Sequence, residues 1–183
     1  MKTEAQLLKL ENLIDLAKKQ GADEIEVIKK SWTDNPVNFE NNRLKILESK
    51  ETSGISIRII KNNKMSLASS TDENALESLV NSVVELSEYG SPAIFNFTKD
   101  KLDLTSTEER QPPLPLETLV EKGTSIIESL KTFHKDLLIS GGFNLGYGET
   151  TYLNSNGVHG KRKKTVYHWR TQSARNELCF FKL

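Results

Sequence analysis

The chain has 183 residues, with 25 basic and 25 acidic side chains, 36% hydrophobic residues and one cysteine. That length and composition fit one domain, or one domain and part of a second, and argue against wholesale disorder. No apolar run approaches the roughly 20 residues of a membrane-spanning helix, Met1 to Gln20 lacks the apolar block of a signal peptide, and the lone Cys179 builds no disulfide framework, so a soluble cytoplasmic protein with no membrane partner is expected.

Leu7, Leu10, Leu13, Ile14 and Ala17 recur at three and four residues and predict a first helix, closed by Gly21 in a left-handed C-terminal cap. Glu24 to Lys30 alternates around Ile25 and Val27 as a half-buried strand, and Asp34-Asn35-Pro36 signals a turn after it. Val37 to Glu40 and Arg43 to Ser49 read as strands on either side of Asn41-Asn42. Gly54 to Ile60 and Met65 to Ser69 read as two more, joined by a hairpin loop at Lys61-Asn62-Asn63-Lys64.

Ser70 and Glu73 have the spacing of a capping box, in which each side chain satisfies a free N–H of the other. The box would open a helix with an apolar stripe of Leu76, Leu79, Val80, Val83 and Leu86, stopped at Gly90-Ser91-Pro92. Residues 90–115 read as a mostly irregular connector stiffened by Pro112, Pro113 and Pro115. A third helix follows from Leu116 to Leu130, with Leu119, Ile126, Ile127 and Leu130 toward the core. Six of the ten glycines then fall between Gly141 and Gly160, and the apolar pattern becomes strand-like around an Asn156-Gly157 turn. Strands in consecutive order make the expected fold class α+β, an antiparallel sheet flanked by helices and followed by the start of a second, mainly β region. The expected boundaries are 1–111 for the first domain, 112–160 for the start of a second, and 161–183 for an atypical basic tail.

A zinc-peptidase helix needs two histidines on one face with a Glu beside the first. His134, His159 and His168 are followed by Lys, Gly and Trp, and none lies at helical spacing from another. Gly141 and Gly146 have the separation of a phosphate loop, but Tyr147 and Gly148 stand where Lys and Ser/Thr are required. Ser155 lies outside any Gly-x-Ser-x-Gly elbow, Cys179 lies near the terminus without a neighbouring base, and Glu108-Glu109 is a solvated pair on a polar loop. The expected catalytic, cofactor-binding and metal-binding residues are therefore none.

The balanced charge hides an asymmetry. Val158 to Leu183 holds seven basic residues and one acid, which leaves 18 basic and 24 acidic residues in 1–157. Lys161 to Lys164, with Tyr167, Trp169 and Arg170 nearby, could hold phosphates and stack bases. A solvated strand edge, where lysines block unwanted pairing, is the reading to prefer, since no nucleic-acid fold signature accompanies the run.

Several blocks resemble one family. Gly21-Ala22-Asp23-Glu24-Ile25-Glu26-Val27, Phe39-Glu40-Asn41-Asn42-Arg43-Leu44-Lys45, Gly54-Ile55-Ser56-Ile57-Arg58-Ile59-Ile60 leading to Ala68-Ser69-Ser70-Thr71, and Tyr152-Leu153-Asn154-Ser155-Asn156-Gly157 are similar, in order and spacing, to the TldD/PmbA family. Its members were once described as modulators of DNA gyrase and are now regarded as metalloproteases. The resemblance covers about residues 5–160. It implies a cytoplasmic two-subunit protease for small or unfolded peptides, in which only the TldD-like partner carries a zinc-binding His-Glu-x-x-x-His motif, downstream of where this chain stops. No zinc-ligand or catalytic role transfers to a residue here, and zinc belongs to the parent family's catalytic subunit. The chain departs from the pattern at Met65-Ser66 and, more severely, after Gly160, where the basic run begins. The expectation is a truncated N-terminal part of a TldD/PmbA-type subunit, inactive alone. The alternatives are a small non-catalytic partner or peptide-binding module for a TldD-like subunit, and a nucleic-acid-binding protein.

Overall fold

The computed structural model describes residues 2–100 and 114–175. In chain order these form α1 (Lys2–Lys19), β1 (Glu24–Glu40), β2 (Arg43–Leu47), β3 (Lys50–Lys61), β4 (Lys64–Ser70), α2 (Leu76–Leu86), a 3₁₀ turn at Ser87–Tyr89, β5 (Ser91–Pro92), α3 (Leu116–Phe133), β6 (Leu137–Asn154) and β7 (His159–Arg175). The strands make one sheet in the order β5-β4-β3-β1-β6-β7, with β2 pairing β1 off this path. The fold class is α+β, as the consecutive strands predict. Among the described residues no helix is long and apolar enough to cross a membrane.

The chain divides into two compact units, each drawn from three separate stretches. One takes the described residues of Met1–Ser31, Thr52–Glu108 and Glu149–Lys163; the other takes those of Trp32–Glu51, Glu109–Gly148 and Lys164–Leu183.

In the first unit α1 ends as the sequence predicts. Gly21 has φ +86°, its N–H donates to the Lys18 carbonyl at 2.9 Å, and the Ala22 N–H reaches back to the Ala17 carbonyl at 3.1 Å. This is a Schellman cap, which only a residue without a Cβ penalty adopts freely. The core is contributed by Leu10, Leu13, Ile14 and Ala17 of α1, Ile25 and Val27 of β1, Ile55, Ile57 and Ile59 of β3, and Leu76, Leu79, Val80 and Val83 of α2. Each such Leu, Ile or Val contributes about 1.5–3 kcal/mol by leaving water. Leu86, the last position of the predicted α2 stripe, is exposed.

The capping box is not formed. The Ser70 hydroxyl accepts the Asp72 N–H at 3.0 Å and the Asp72 carboxylate accepts the Asn74 N–H at 2.8 Å, so two short side-chain turns use these groups and α2 starts later, behind Ala75. Glu73 instead pairs with lysines, as described below. Ser91-Pro92, expected only to stop the helix, forms a short strand on β4, with Met65 opposite Ser91.

The predicted turn at Asp34-Asn35-Pro36 is absent too, because β1 runs through it. Its turn-forming side chains are occupied by β6: Asn144 Nδ2 donates to Asp34 Oδ1 at 3.3 Å and the buried Asn35 donates to the Leu145 carbonyl at 3.4 Å. Both Asn-Asn hairpins do form. Asn41 and Asn42 have φ of 50° and 66°, and Asn62 and Asn63 of 50° and 59°, the pattern of tight type I′ turns. β2 stops at Leu47, short of the predicted Ser49.

The second unit has its own core of Val37, Phe39, Leu119, Ile127, Ile139 and Leu145. Of the residues expected inward on α3, Leu119 and Ile127 are buried, while Ile126 and Leu130 are half-buried. Pro112, Pro113, Glu108-Glu109 and Cys179 lie outside the described residues.

Candidate functional site

Alternation along β3 decides what lies on each face of the first unit's sheet. With Ile55, Ile57 and Ile59 turned to the helices, Arg58 points to the opposite face. There its Nη2 is 2.7 Å from Glu26 Oε1, a carboxylate that is itself only 8% exposed. The guanidinium also lies 5.4 and 5.1 Å from the ring centroids of Phe95 and Phe97, a double cation–π contact. Phe97 is buried, so the segment after β5 acts as a strap over the ion pair.

The strap is fastened by amides. Asn154 Nδ2 donates to the Thr98 carbonyl at 2.9 Å and to the Tyr152 hydroxyl at 3.2 Å. Asn156 Nδ2 donates to the Phe97 carbonyl at 2.9 Å, and the Phe97 N–H donates to Glu24 Oε2. Asn154 Oδ1 also accepts the N–H groups of Asn156 and Val158, both at 3.0 Å, closing the turn around Gly157 at φ +81°. Burial pushes the Tyr152 hydroxyl above its usual pKa, the Asn154 hydrogen bond opposes this, and the Glu26 charge adds to it. Tyr152 therefore stays protonated at neutral pH.

Ser155 is part of the same fastening. Its hydroxyl accepts the Ile25 N–H at 3.0 Å and its N–H donates to the Ile25 carbonyl at 2.8 Å. It is a backbone tie at a strand end. The block Asn154-Ser155-Asn156-Gly157 thus has a structural task at every position. Single charges set inside apolar runs, Glu26 between Ile25 and Val27 and Arg58 between Ile57 and Ile59, were the signal in the sequence for this buried pair.

A second ion pair binds α1, β1 and the loop before α2. Lys29 Nζ donates to Glu73 Oε1, and Lys9 Nζ donates to the Glu73 carbonyl at 3.2 Å. The Lys29 hydrogen bond, opposed by partial burial, leads the causes that hold the Glu73 carboxyl below its ordinary value. A depressed folded pKa stabilises above the unfolded value and is lost as pH falls through the folded one. Chemical denaturation followed from pH 7 into the acid range should therefore show a stability loss in the native chain, beginning near the usual carboxylate pKa, that is smaller in Glu73→Gln.

In the second unit the Asn41-Asn42 turn docks on the start of β6. Asn42 Nδ2 donates to the Leu137 carbonyl at 2.9 Å, and its Oδ1 accepts the Ile139 N–H at 2.9 Å. Glycine at this position would suit the turn but lose both bonds. Asn42→Gly should cost about 1–2 kcal/mol in denaturant melts, at roughly 1 kcal/mol net for each hydrogen bond.

The glycine-rich stretch Gly141–Gly148 lies wholly within β6, extended against neighbouring strands. A Cβ at Gly146 would come 2.6 Å from the Trp32 ring, and one at Gly142 would press on Val37 and Asn38, so these glycines admit neighbours and do not cradle phosphate. The basic run Lys161–Lys164 lies on β7, at the end of the sheet order, and Lys161 Nζ is 2.7 Å from Glu149 Oε1. The segment expected as an atypical tail continues as strand to Arg175.

The histidines sit apart on the chain's elements, His134 at the end of α3, His159 at the start of β7 and His168 within it. Among the described residues no group of three or more His, Cys, Asp or Glu could hold a metal ion. An open groove lined by Glu11, Asp15 and Lys18 of α1 with Ser155 and His159 carries polar groups, but its serine hydroxyl is the one engaged by Ile25. Among the described residues, the donors lining this groove do not form a set that fits zinc.

Residues 26–87 match the sequence model of the family described as PmbA/TldA metallopeptidase domain 1. No curated protein matches the chain. Among solved structures, TldE from Thermococcus kodakarensis superposes with a TM-score of 0.69 at 19% identity, over 92% of this chain and 43% of that one. A protein from Bacteroides thetaiotaomicron described as a candidate modulator of DNA gyrase gives 0.74 at 16% identity, over 96% of this chain and 42% of its own. A Thermotoga maritima protein of the same description gives 0.66 at 12%, over 91% and 42%. The chain thus spans less than half the length of the structures whose fold it shares.

Proposed function

We propose, for a chain that belongs to the TldD/PmbA family through the first domain at residues 26–87, that it supplies the N-terminal, non-catalytic portion of a peptidase subunit. In this reading it positions or shields peptide substrates in a cytoplasmic assembly with a TldD-like partner, and the zinc chemistry comes from elsewhere in that assembly. The supporting observation is the state of the polar residues. Those of the Asn154–Gly157 block and of the Glu26–Arg58 layer are consumed in fastening the fold, and the described donors fit no metal.

The test is to assay the purified chain with added zinc against a quenched fluorescent peptide, alone and with a TldD-like subunit. No hydrolysis alone and co-elution with the partner on gel filtration are expected. Chelator-sensitive hydrolysis by the chain alone would overturn the reading, as would failure to co-elute.

A further inference from the structure

Among the 183 residues Asn is followed by Gly once, at Asn156-Gly157, and this step stands where the strap is fastened. Asn156 Nδ2 donates to the Phe97 carbonyl at 2.9 Å and to the Thr98 carbonyl at 3.3 Å. The Gly157 N–H donates to the Asn154 carbonyl at 3.2 Å, and the Asn156 N–H to Asn154 Oδ1 at 3.0 Å. All of these groups lie in the first unit.

An Asn-Gly step carries its own chemistry. The glycine nitrogen has no neighbouring side chain to shield it, and it can attack the carbonyl carbon of the Asn side chain. The bond from Gly157 N to Asn156 Cγ forms, the Cγ–Nδ2 bond breaks, and the Gly157 proton leaves with the amine as ammonia. Water then opens the cyclic imide at either carbonyl. One opening leaves aspartate; the other leaves isoaspartate, with the main chain routed through the former side chain. No electrons change hands, and water is the only co-reactant.

The fastened strap holds this reaction off. The attacking N–H is engaged by the Asn154 carbonyl, and the leaving amide is committed to two strap carbonyls. Lifting the strap frees the side chain. Conversion then prevents the strap from closing again, because a carboxylate has no hydrogen to donate. Its charge would face the Phe97 and Thr98 carbonyl oxygens where hydrogen bonds had been. We infer that Asn156-Gly157 is a self-modifying latch, which loses its amide while the strap is open and so makes the opening permanent. The permanent opening uncovers Phe97 and the Arg58 guanidinium beneath it. The inference goes beyond the peptidase reading and does not depend on it.

The experiment is to hold the whole chain in warm, mildly alkaline buffer and follow Asn156 by peptide mass mapping, with isoaspartate separated chromatographically. Slow conversion is expected in the native chain, and conversion about tenfold or more faster in denaturing urea, where the fastening is gone. Glu24→Ala removes the acceptor of the Phe97 N–H, and Phe97→Ala removes the buried ring that anchors the strap. Each should speed conversion about tenfold, the effect of losing one buried contact on a local opening equilibrium. Far-UV circular dichroism identifies a variant that has not folded. Glu24 lies outside the apolar core, so its variant decides the point if Phe97→Ala does not fold. The converted native chain, separated on an ion exchanger by its added charge, should be cut by protease near Phe95 and Phe97 faster than the unconverted chain. Asn156→Asp should also be cut faster. Equal conversion in native chain and urea would overturn the inference, as would folded strap variants that convert no faster. A converted chain whose strap resists protease as well as before would overturn it too.

Discussion

Gly123→Ala should destabilise the second unit by about 2–3 kcal/mol, the usual cost of forcing extra volume into a packed core. The same exchange at an open helix position stabilises by roughly 0.5–1 kcal/mol, so the sign is reversed by context. A Cβ built at Gly123 overlaps Cε2 and Cζ at the edge of the Phe39 ring and comes 3.2 Å from Phe143 Cε2. Phe39 is only 7% exposed and belongs to the core with Leu119 and Ile127, so it has little room to retreat. Urea melts of Gly123→Ala, Phe39→Leu and the pair should be non-additive, with the smaller Leu relieving part of the alanine's cost. Equal or greater stability of Gly123→Ala would show that the ring turns aside freely and that the close approach is not required.

Asn154→Ala should cost about 3–4 kcal/mol, at roughly 1 kcal/mol for each hydrogen bond lost and more where a buried partner is orphaned. Four bonds depend on this amide: two donated, to Thr98 and Tyr152, and two accepted, from Asn156 and Val158. The residue is 4% exposed, so water cannot easily replace them. Asn154→Asp keeps both acceptor bonds but loses the donor to Thr98, and it should fall between the native chain and the alanine variant. Limited proteolysis gives a second readout, because release of the Phe95–Thr98 strap would open a cut site near Phe95 and Phe97. A strap equally resistant in native chain and alanine variant would mean that the Arg58 contacts hold it unaided.

Local rules were readable where a single residue type was the only solution. Asn62-Asn63 announced its hairpin because both turn positions need positive φ, which Asn tolerates and β-branched residues do not, and Asn41-Asn42, read only as lying between two strands, turns in the same way. Gly21 announced the end of α1 for the same reason. The readings that failed did so where a side chain found a distant partner in place of a local one. Asp34 and Asn35 look like turn residues until β6, 110 positions on, takes up their side chains. Ser70 and Glu73 have the spacing of a capping box until Lys29 and Lys9 draw the glutamate away.

The strap was illegible for a related reason, although the two charges beneath it left a signal. Alternation shows that Glu26 and Arg58 leave the hydrophobic face, but only the folded hairpin shows that the other face is also covered. The family resemblance, by contrast, was carried by blocks that each prove to have a structural task. Asn42 docks on β6, and Ser155 closes on Ile25. The recognisable residues are the fasteners of the fold.

The division of each unit among three stretches sets an order for folding during synthesis. Ile25 gives both its N–H and its carbonyl to Ser155, 130 positions later. The first unit also requires Glu149–Lys163, and the second requires residues from Lys164 onward. A ribosome that has delivered the first three-quarters of the sequence has therefore completed neither unit. The early strands must wait, with their apolar faces exposed, for the β6–β7 hairpin to emerge. Contacts of such long sequence separation close slowly, and an unfinished chain waiting on them is the natural client of a chaperone.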